Sequence, residues 1–112
     1  MNILGKHLIL DVWLTAEITD SVVTQILESI RSKFYVVREI SHDFVPYGLT
    51  HVCILSESHF TLHTYPEHKY LSMDLYICNE SIDLTVVEKE ILRDVPVESF
   101  RSQVLRRGRA ID

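Results

Sequence analysis

Glycine and proline are scarce in this chain, three of each among 112 residues. That scarcity excludes a Pro/Gly-rich linker, and the chain has neither a low-complexity tract nor a repeat at solenoid period. A single domain over residues 1–112 is the resulting expectation. Cysteine is scarce as well. Cys53 and Cys78 are too few for a secreted disulfide framework, and they lack the C-x-x-C spacing of a structural zinc site. A reducing cytoplasm is the expected compartment, and no metal is expected. Long apolar runs are missing: the longest, such as 8–10 and 52–55, are far too short to span a membrane. Residues 1–6 lack the basic-then-apolar order of a signal peptide. Basic charge is not in excess, since the net charge is −5 with His neutral, so there is no electrostatic footprint for nucleic acid. The one basic cluster, residues 101–109, reads as solvated charge at the end of a strand.

What is present is periodic. Residues 6–13 read as a buried strand. Thr19 or Asp20 caps a helix to about residue 33, whose apolar positions Val22, Val23, Ile26, Leu27 and Ile30 recur at helical spacing. Residues 34–44 alternate as a second strand, and Pro46-Tyr47-Gly48 makes a turn. Three close strands follow at 50–55, 60–65 and 70–77, joined by links 56–59 and 66–69 that are short enough for hairpins. Asp83 caps a shorter helix over 84–93, and Pro96 opens a last strand, 97–105. The order β-α-β-β-β-β-α-β predicts an α+β fold: an antiparallel sheet covered by two helices on one face, with the other face free to meet a second subunit.

The segment 55–66, LSESHFTLHTYP, concentrates the reactive residue types. Ser58 follows Glu57 at a turn, His63 stands five residues on, and Cys78 lies beyond. Strand side chains alternate between faces, so Ser58 and His63 share a face only if a bend lies between them. Singly, each residue has an ordinary reading: a turn serine, a sheet histidine, a small buried thiol and, for Glu67, a solvated turn carboxylate. Together they are the types that form covalent intermediates and move protons. A turn serine held in a strained backbone can attack the carbonyl before it. His51, His59 and His68 complete a histidine-rich region without the short H-x-x-x-H spacing of zinc enzymes.

The run FVPYGLTHVCILSESHFTLHTYPE, followed by MDLYIC, resembles the small prokaryotic S-adenosylmethionine decarboxylases, which are made as proenzymes. The resemblance starts at Leu4-Gly5-Lys6-His7-Leu8, is densest over 44–78, and touches Arg107-Gly108-Arg109. It implies that the Ser58 hydroxyl attacks the Glu57 carbonyl. Elimination and hydrolysis then give a β chain 1–57 and an α chain 58–112 that begins with a pyruvoyl group. That covalent group is the implied cofactor, an electron sink that takes up, through a Schiff base, the charge left when carbon dioxide departs. His63 matches the family's processing proton acceptor and Cys78 its proton donor. Phe44 matches the aromatic that stacks on adenine, and Glu67 the carboxylate that binds the ribose hydroxyls. Tyr65 takes the place of the usual Trp beside the pocket, and Thr50 that of a serine that assists processing. The implied partners are the substrate S-adenosylmethionine, whose decarboxylated product donates aminopropyl groups for spermidine, and a second copy of the chain packed sheet to sheet, with each site drawing on both copies.

The family's usual Tyr-Gly-Tyr-Ala-Ala after Pro-Glu is here His68-Lys69-Tyr70-Leu71-Ser72, and the Gly usual after Cys78 is Asn79. These departures cluster beside Glu67. They leave open a pyruvoyl decarboxylase acting on ornithine or arginine; an unprocessed, non-enzymatic paralogue is a third reading, against which the intact Ser58, His63 and Cys78 set argues.

Overall fold

The computed structural model describes residues 3–111. The ends of the expected 1–112 domain (Met1, Asn2 and Asp112) lie outside them. The elements run β1 (Gly5–Leu14), α1 (Asp20–Lys33), β2 (Val36–Asp43), β3 (Leu49–Leu55), β4 (Ser58–Tyr65), a 3-10 turn (Pro66–His68), β5 (Tyr70–Ile77), α2 (Leu84–Leu92) and β6 (Val97–Arg107). The six strands form one sheet in the order β2-β3-β4-β5-β1-β6, and every ladder is antiparallel. The expected α+β architecture is therefore present.

Alternation decides the faces. Leu8, Leu10, Val12 and Leu14 of β1, Phe60 and Leu62 of β4, and Leu71, Met73, Leu75 and Ile77 of β5 are buried. They form one cluster with Val22, Ile26, Leu27 and Ile30 of α1 and Leu84, Val87 and Ile91 of α2. Each such side chain contributes on the order of 2 kcal/mol through its removal from water. β1 is thus buried on one face rather than two: Ile9, between Leu8 and Leu10, stays exposed. The helices begin where short polar side chains take up their free N–H groups. Thr19 Oγ1 accepts from the Val22 amide at 3.2 Å, and Asp83 accepts from the Thr85 amide at 2.9 Å. Phe34 belongs to the end of α1 rather than to β2, because its amide donates to the Ile30 carbonyl at 2.9 Å. An ion-paired bridge ties α1 to the sheet edge. Arg31 makes two bonds to Glu39, at 3.0 and 2.7 Å, and His51 donates to the same carboxylate at 2.7 Å.

The face away from the helices carries four rows of side chains, set by the register of the ladders. The first row runs Ile54, His59, Tyr76, His7, Leu105. The second runs Ile40, Val52, Thr61, Asp74, Ile9. The third runs His42, Thr50, His63, Ser72, Asp11, Arg101, and the last runs Tyr65, Tyr70, Trp13. Among the described residues no helix is long and apolar enough to cross a membrane.

Candidate active site

The hairpin between β3 and β4 is tighter than the expected link 56–59. Leu55 pairs directly with Ser58, leaving Ser56 and Glu57 as the turn. Two-residue hairpins favour positive φ at their central residues; here the positive φ falls instead on Ser58, the first residue of β4, at 139°. That region strains any residue with a Cβ. Ser58 also pairs with Ile77 of β5. Its Oγ lies 3.3 Å from Sγ of Cys78, the residue that follows β5. The strained serine, the Glu57 carbonyl before it and an exposed thiol therefore share one end of the sheet. Lys6 holds the loop after Cys78 by donating to the carbonyls of Glu80 and Ile82.

The other candidates lie at the opposite end. Phe44, Tyr47, Thr50, His63, Tyr65 and Glu67 line a cavity of about 440 Å³. Pairing of Thr50 with His63 across β3 and β4 brings the threonine hydroxyl to 2.8 Å from His63 Nδ1. The 44–48 loop closes over this end through the Phe44 amide, which donates to the Gly48 carbonyl at 2.8 Å. Gly48 has φ 110°, a conformation that suits only glycine comfortably. Glu67 lies on the 3-10 turn that replaces a plain hairpin link, and Lys69 ends that turn in the left-handed conformation at φ 51°. The aromatic row continues away from the cavity: Tyr65 meets Tyr70 at 5.3 Å, and Tyr70 meets Trp13 at 5.2 Å. Tyr70 donates to Asp11 at 2.5 Å, and burial followed by that bond pushes its phenol pKa up.

Within one chain the sheet thus brings together Phe44, Thr50, His63, Tyr65 and Glu67, and separately Glu57, Ser58 and Cys78. Five residues of strand at about 3.3 Å each put His63 roughly 16 Å from Ser58.

A third group, between the two, is not legible from residue spacing. His7 of β1, His59 of β4 and Asp74 of β5 converge, with each histidine Nε2 on the same carboxylate oxygen, at 2.7 and 3.1 Å. The sequence pattern puts His59, Thr61 and His63 on one face. Only the strand order brings His7 to them. Among the described residues one other group has ligand-type atoms this close, Glu39, His51 and Cys53. There the Arg31 guanidinium already occupies the carboxylate. Burial, then the charge of Glu39, pushes the Cys53 thiol up to about 11, so it is no nucleophile. Two of the C-terminal arginines also have partners: Arg101 stacks over Trp13 at 5.3 Å, and Arg107 over Tyr76 at 5.0 Å.

The model of the family described as S-adenosylmethionine decarboxylase matches residues 6–108. The chain belongs to that family. It is 36% identical to an S-adenosylmethionine decarboxylase proenzyme of Oceanobacillus iheyensis, over 81% of this chain and 76% of that protein. It is 34% identical to S-adenosylmethionine decarboxylase proenzyme 2 of Halalkalibacterium halodurans, over 96% of this chain and 89% of that one. The crystal structure of the adenosylmethionine decarboxylase of Aquifex aeolicus superposes with a TM-score of 0.83, over 100% of this chain and 97% of that one, at 21% identity. That likeness establishes the fold.

Proposed function

We propose that this chain, a carboxy-lyase of the S-adenosylmethionine decarboxylase family, is a proenzyme that cuts itself between Glu57 and Ser58. Its active form then decarboxylates S-adenosylmethionine with a pyruvoyl group made from Ser58. The observation that carries the reading is Ser58 itself, a non-glycine residue at φ 139° with its hydroxyl 3.3 Å from a thiol. Strain in the peptide that must break is released by breaking it.

Self-cleavage needs a nucleophile and a base. The Ser58 oxygen bonds to the Glu57 carbonyl carbon, and the Glu57–Ser58 C–N bond breaks to leave an ester and a free amine. A base then takes the Ser58 Cα proton. The Ser58 Cβ–Oγ bond breaks, and residue 57 leaves as a carboxylate that keeps that oxygen. The dehydroalanine that remains tautomerises to an imine, and water hydrolyses it to a ketone with release of ammonia. His63 is the proposed base. When its Nδ1–H donates to the Thr50 hydroxyl, its Nε2 lone pair is free to take a proton.

A dimer packed sheet to sheet about a two-fold axis reconciles that role with the separation of the two groups. Packing two copies end for end would bring the Ser58 and Cys78 end of one sheet to the Thr50 and His63 end of the other. Exposed Ile9, Ile40 and Ile54 on the open face give such a dimer apolar surface to bury.

The residues around residue 58 fit a ketone there: Cys78 Sγ lies 3.3 Å from the Ser58 hydroxyl, beside the carbon that would carry it. Such a ketone supplies the electron sink that this chain's own side chains lack. The chain's residues supply the rest. The aromatic faces of Phe44 and Tyr65 hold the adenine, the Glu67 carboxylate accepts from the ribose hydroxyls, and the Cys78 thiol returns one proton to the substrate carbon.

The test is intact mass under denaturing conditions, before and after borohydride. Two fragments meeting at Glu57 and Ser58 are expected, the second gaining two hydrogens on reduction. A product assay with S-adenosylmethionine, ornithine and arginine side by side should give decarboxylation of the first. One uncut chain of 112 residues, from a preparation that is otherwise folded, refutes the reading.

A further inference from the structure

Asp74 stands at the centre of the open face with both carboxylate oxygens engaged. Oδ2 accepts from His7 at 2.7 Å and from His59 at 3.1 Å, while Oδ1 accepts from the Thr61 hydroxyl. The two imidazoles and the carboxylate converge as metal ligands do, but their protons argue for another arrangement. Arg107 lies 3.5 Å from Nδ1 of His7 and can only donate, which puts the His7 proton on Nε2, facing Asp74. The set is closed by its own hydrogen bonds. The Tyr76 ring packs beside it, 5.4 Å from the His7 ring and 6.0 Å from the His59 ring. Burial alone raises the Asp74 pKa, but the bonds from Thr61, His7 and His59 outweigh it and hold the carboxyl below its usual range. It is therefore a permanent anion at neutral pH.

The position of this anchor along the chain gives it a use. His59 is the residue next to Ser58. Before cleavage, β4 is continuous with the turn at Ser56 and Glu57. After cleavage it begins at residue 58, and strand ends without a tether fray. The ladder to Leu55 and Ile77 then has to hold a chain terminus that carries the reacting group. A side chain pinned one residue away, about 3.8 Å along the backbone, restricts that terminus. His7 lies in the segment 1–57, whereas His59 and Asp74 lie in 58–112. The network therefore spans the cut and adds side-chain bonds to the ladders that already join the two products.

We propose that Asp74 is a positioning residue which, through His59, holds the terminus created at residue 58 and, through His7, fastens segment 1–57 to segment 58–112. This rests on the reading that the chain cuts itself after Glu57. The bonds of Asp74 go to His7, His59 and Thr61 and not to Ser58 or Cys78. It acts on where the reacting group sits.

The test compares Asp74→Asn and His59→Ala in two backgrounds, the self-cutting chain and the uncuttable Ser58→Ala chain. Intact mass with borohydride gives the fraction cut and carrying the carbonyl, steady-state kinetics gives kcat and KM, and hydrogen exchange reads the amides of residues 59–61. In the cut protein, Asp74→Asn is expected to keep its reducible carbonyl and a KM near that of the parent. A displacement near 1 Å lowers kcat by roughly tenfold to 100-fold. Exchange at 59–61 rises in the cut protein and stays at the parental rate in the Ser58→Ala background, where the peptide still holds the strand. His59→Gln, which keeps an N–H donor, restores part of the kcat lost in His59→Ala. Exchange that rises equally in both backgrounds means a general role in the sheet and overturns the proposal. So does a cut Asp74→Asn enzyme with parental kcat. If Asp74→Asn does not fold, the His59→Ala and His59→Gln pair decides by the same criteria. An uncut parent chain overturns the cleavage reading and this proposal with it, whereas a cut parent with an unaffected variant overturns this proposal alone.

Discussion

Co-expressing two variants that are each uncut, Ser58→Ala and His63→Ala, should restore cutting to one of them. Ser58 and His63 lie on the same strand, five residues and roughly 16 Å apart. Proton transfer needs heavy atoms about 3 Å apart, or one bridging water. The gap is several times too wide, and a strand paired on both sides does not fold back on itself. In the proposed two-fold dimer, His63 of the partner subunit would close that gap. A mixed dimer then contains one site with neither residue and one site with both. Equal expression and random pairing put about half of the His63→Ala chains into mixed dimers, each with an intact Ser58 opposite a good histidine. About half of the His63→Ala chains should therefore appear as fragments 1–57 and 58–112, while each variant alone stays whole and the Ser58→Ala chain stays whole throughout. Intact mass on the co-purified mixture, with a small mass tag on one variant, reads this directly. An entirely uncut mixture would refute the shared site. Wild-type cutting by His63→Ala alone would remove His63 from the chemistry.

Cys78→Ala should still cut, because the Ser58 nucleophile remains, but loss of a general acid lowers turnover by about 100-fold or more or delivers the proton to the wrong atom; product analysis distinguishes the two, and a fully active variant takes Cys78 out of the acid role. Glu39→Gln should destabilise the fold. The Arg31 bonds, helped by His51, lower the Glu39 carboxyl from 4.5 to about 2. A shift of that size discounted for partial solvent exposure is worth about 1–2 kcal/mol. Because the folded-state value is depressed, that stabilisation is present above about 4.5 and fades as pH falls through about 2. Denaturant melts should therefore separate parent and variant at pH 7 and bring them together in strong acid; a constant gap would contradict the assignment. Gly5→Ala should cost about 1–3 kcal/mol, because a Cβ there would sit 2.5 Å from the Tyr76 hydroxyl and 2.6 Å from its ring. A thermal melt unchanged from the parent would mean the ring moves aside freely.

Local pattern made most of the fold legible. Leu8, Leu10 and Val12 announce β1, and Val22, Ile26, Leu27 and Ile30 announce α1, because burial on one face imposes its own period. The caps at Thr19 and Asp83 are legible for the same local reason. The strand order is not local. Nothing in the spacing of His7 says that β1 lies between β5 and β6, or that His7 meets Asp74, 67 residues away. Boundaries went astray where a backbone bond outweighs side-chain pattern. Phe34 looks like the start of a strand, yet its amide closes the last turn of α1. His59 looks like part of a link, yet pairing of Leu55 with Ser58 draws it into β4. The candidate site could be named from its motif as a set of residue types. Its division between the two ends of the sheet could not, because a motif records sequence and not distance.

The sheet order has a consequence for repair. Residues 1–57 supply β1, β2 and β3, and residues 58–112 supply β4, β5 and β6. The order β2-β3-β4-β5-β1-β6 interleaves them, so the ladders β3–β4, β5–β1 and β1–β6 all join one segment to the other. An uncut chain refolds its protomer as a unimolecular event. A cut one, once denatured, must first find its other half, and β1 must then insert between two strands of a separate molecule. Its recovery therefore depends on concentration and competes with aggregation. The proposed cut after Glu57 would in this sense be a point of no return: heat that the uncut chain survives reversibly would discard the cut form.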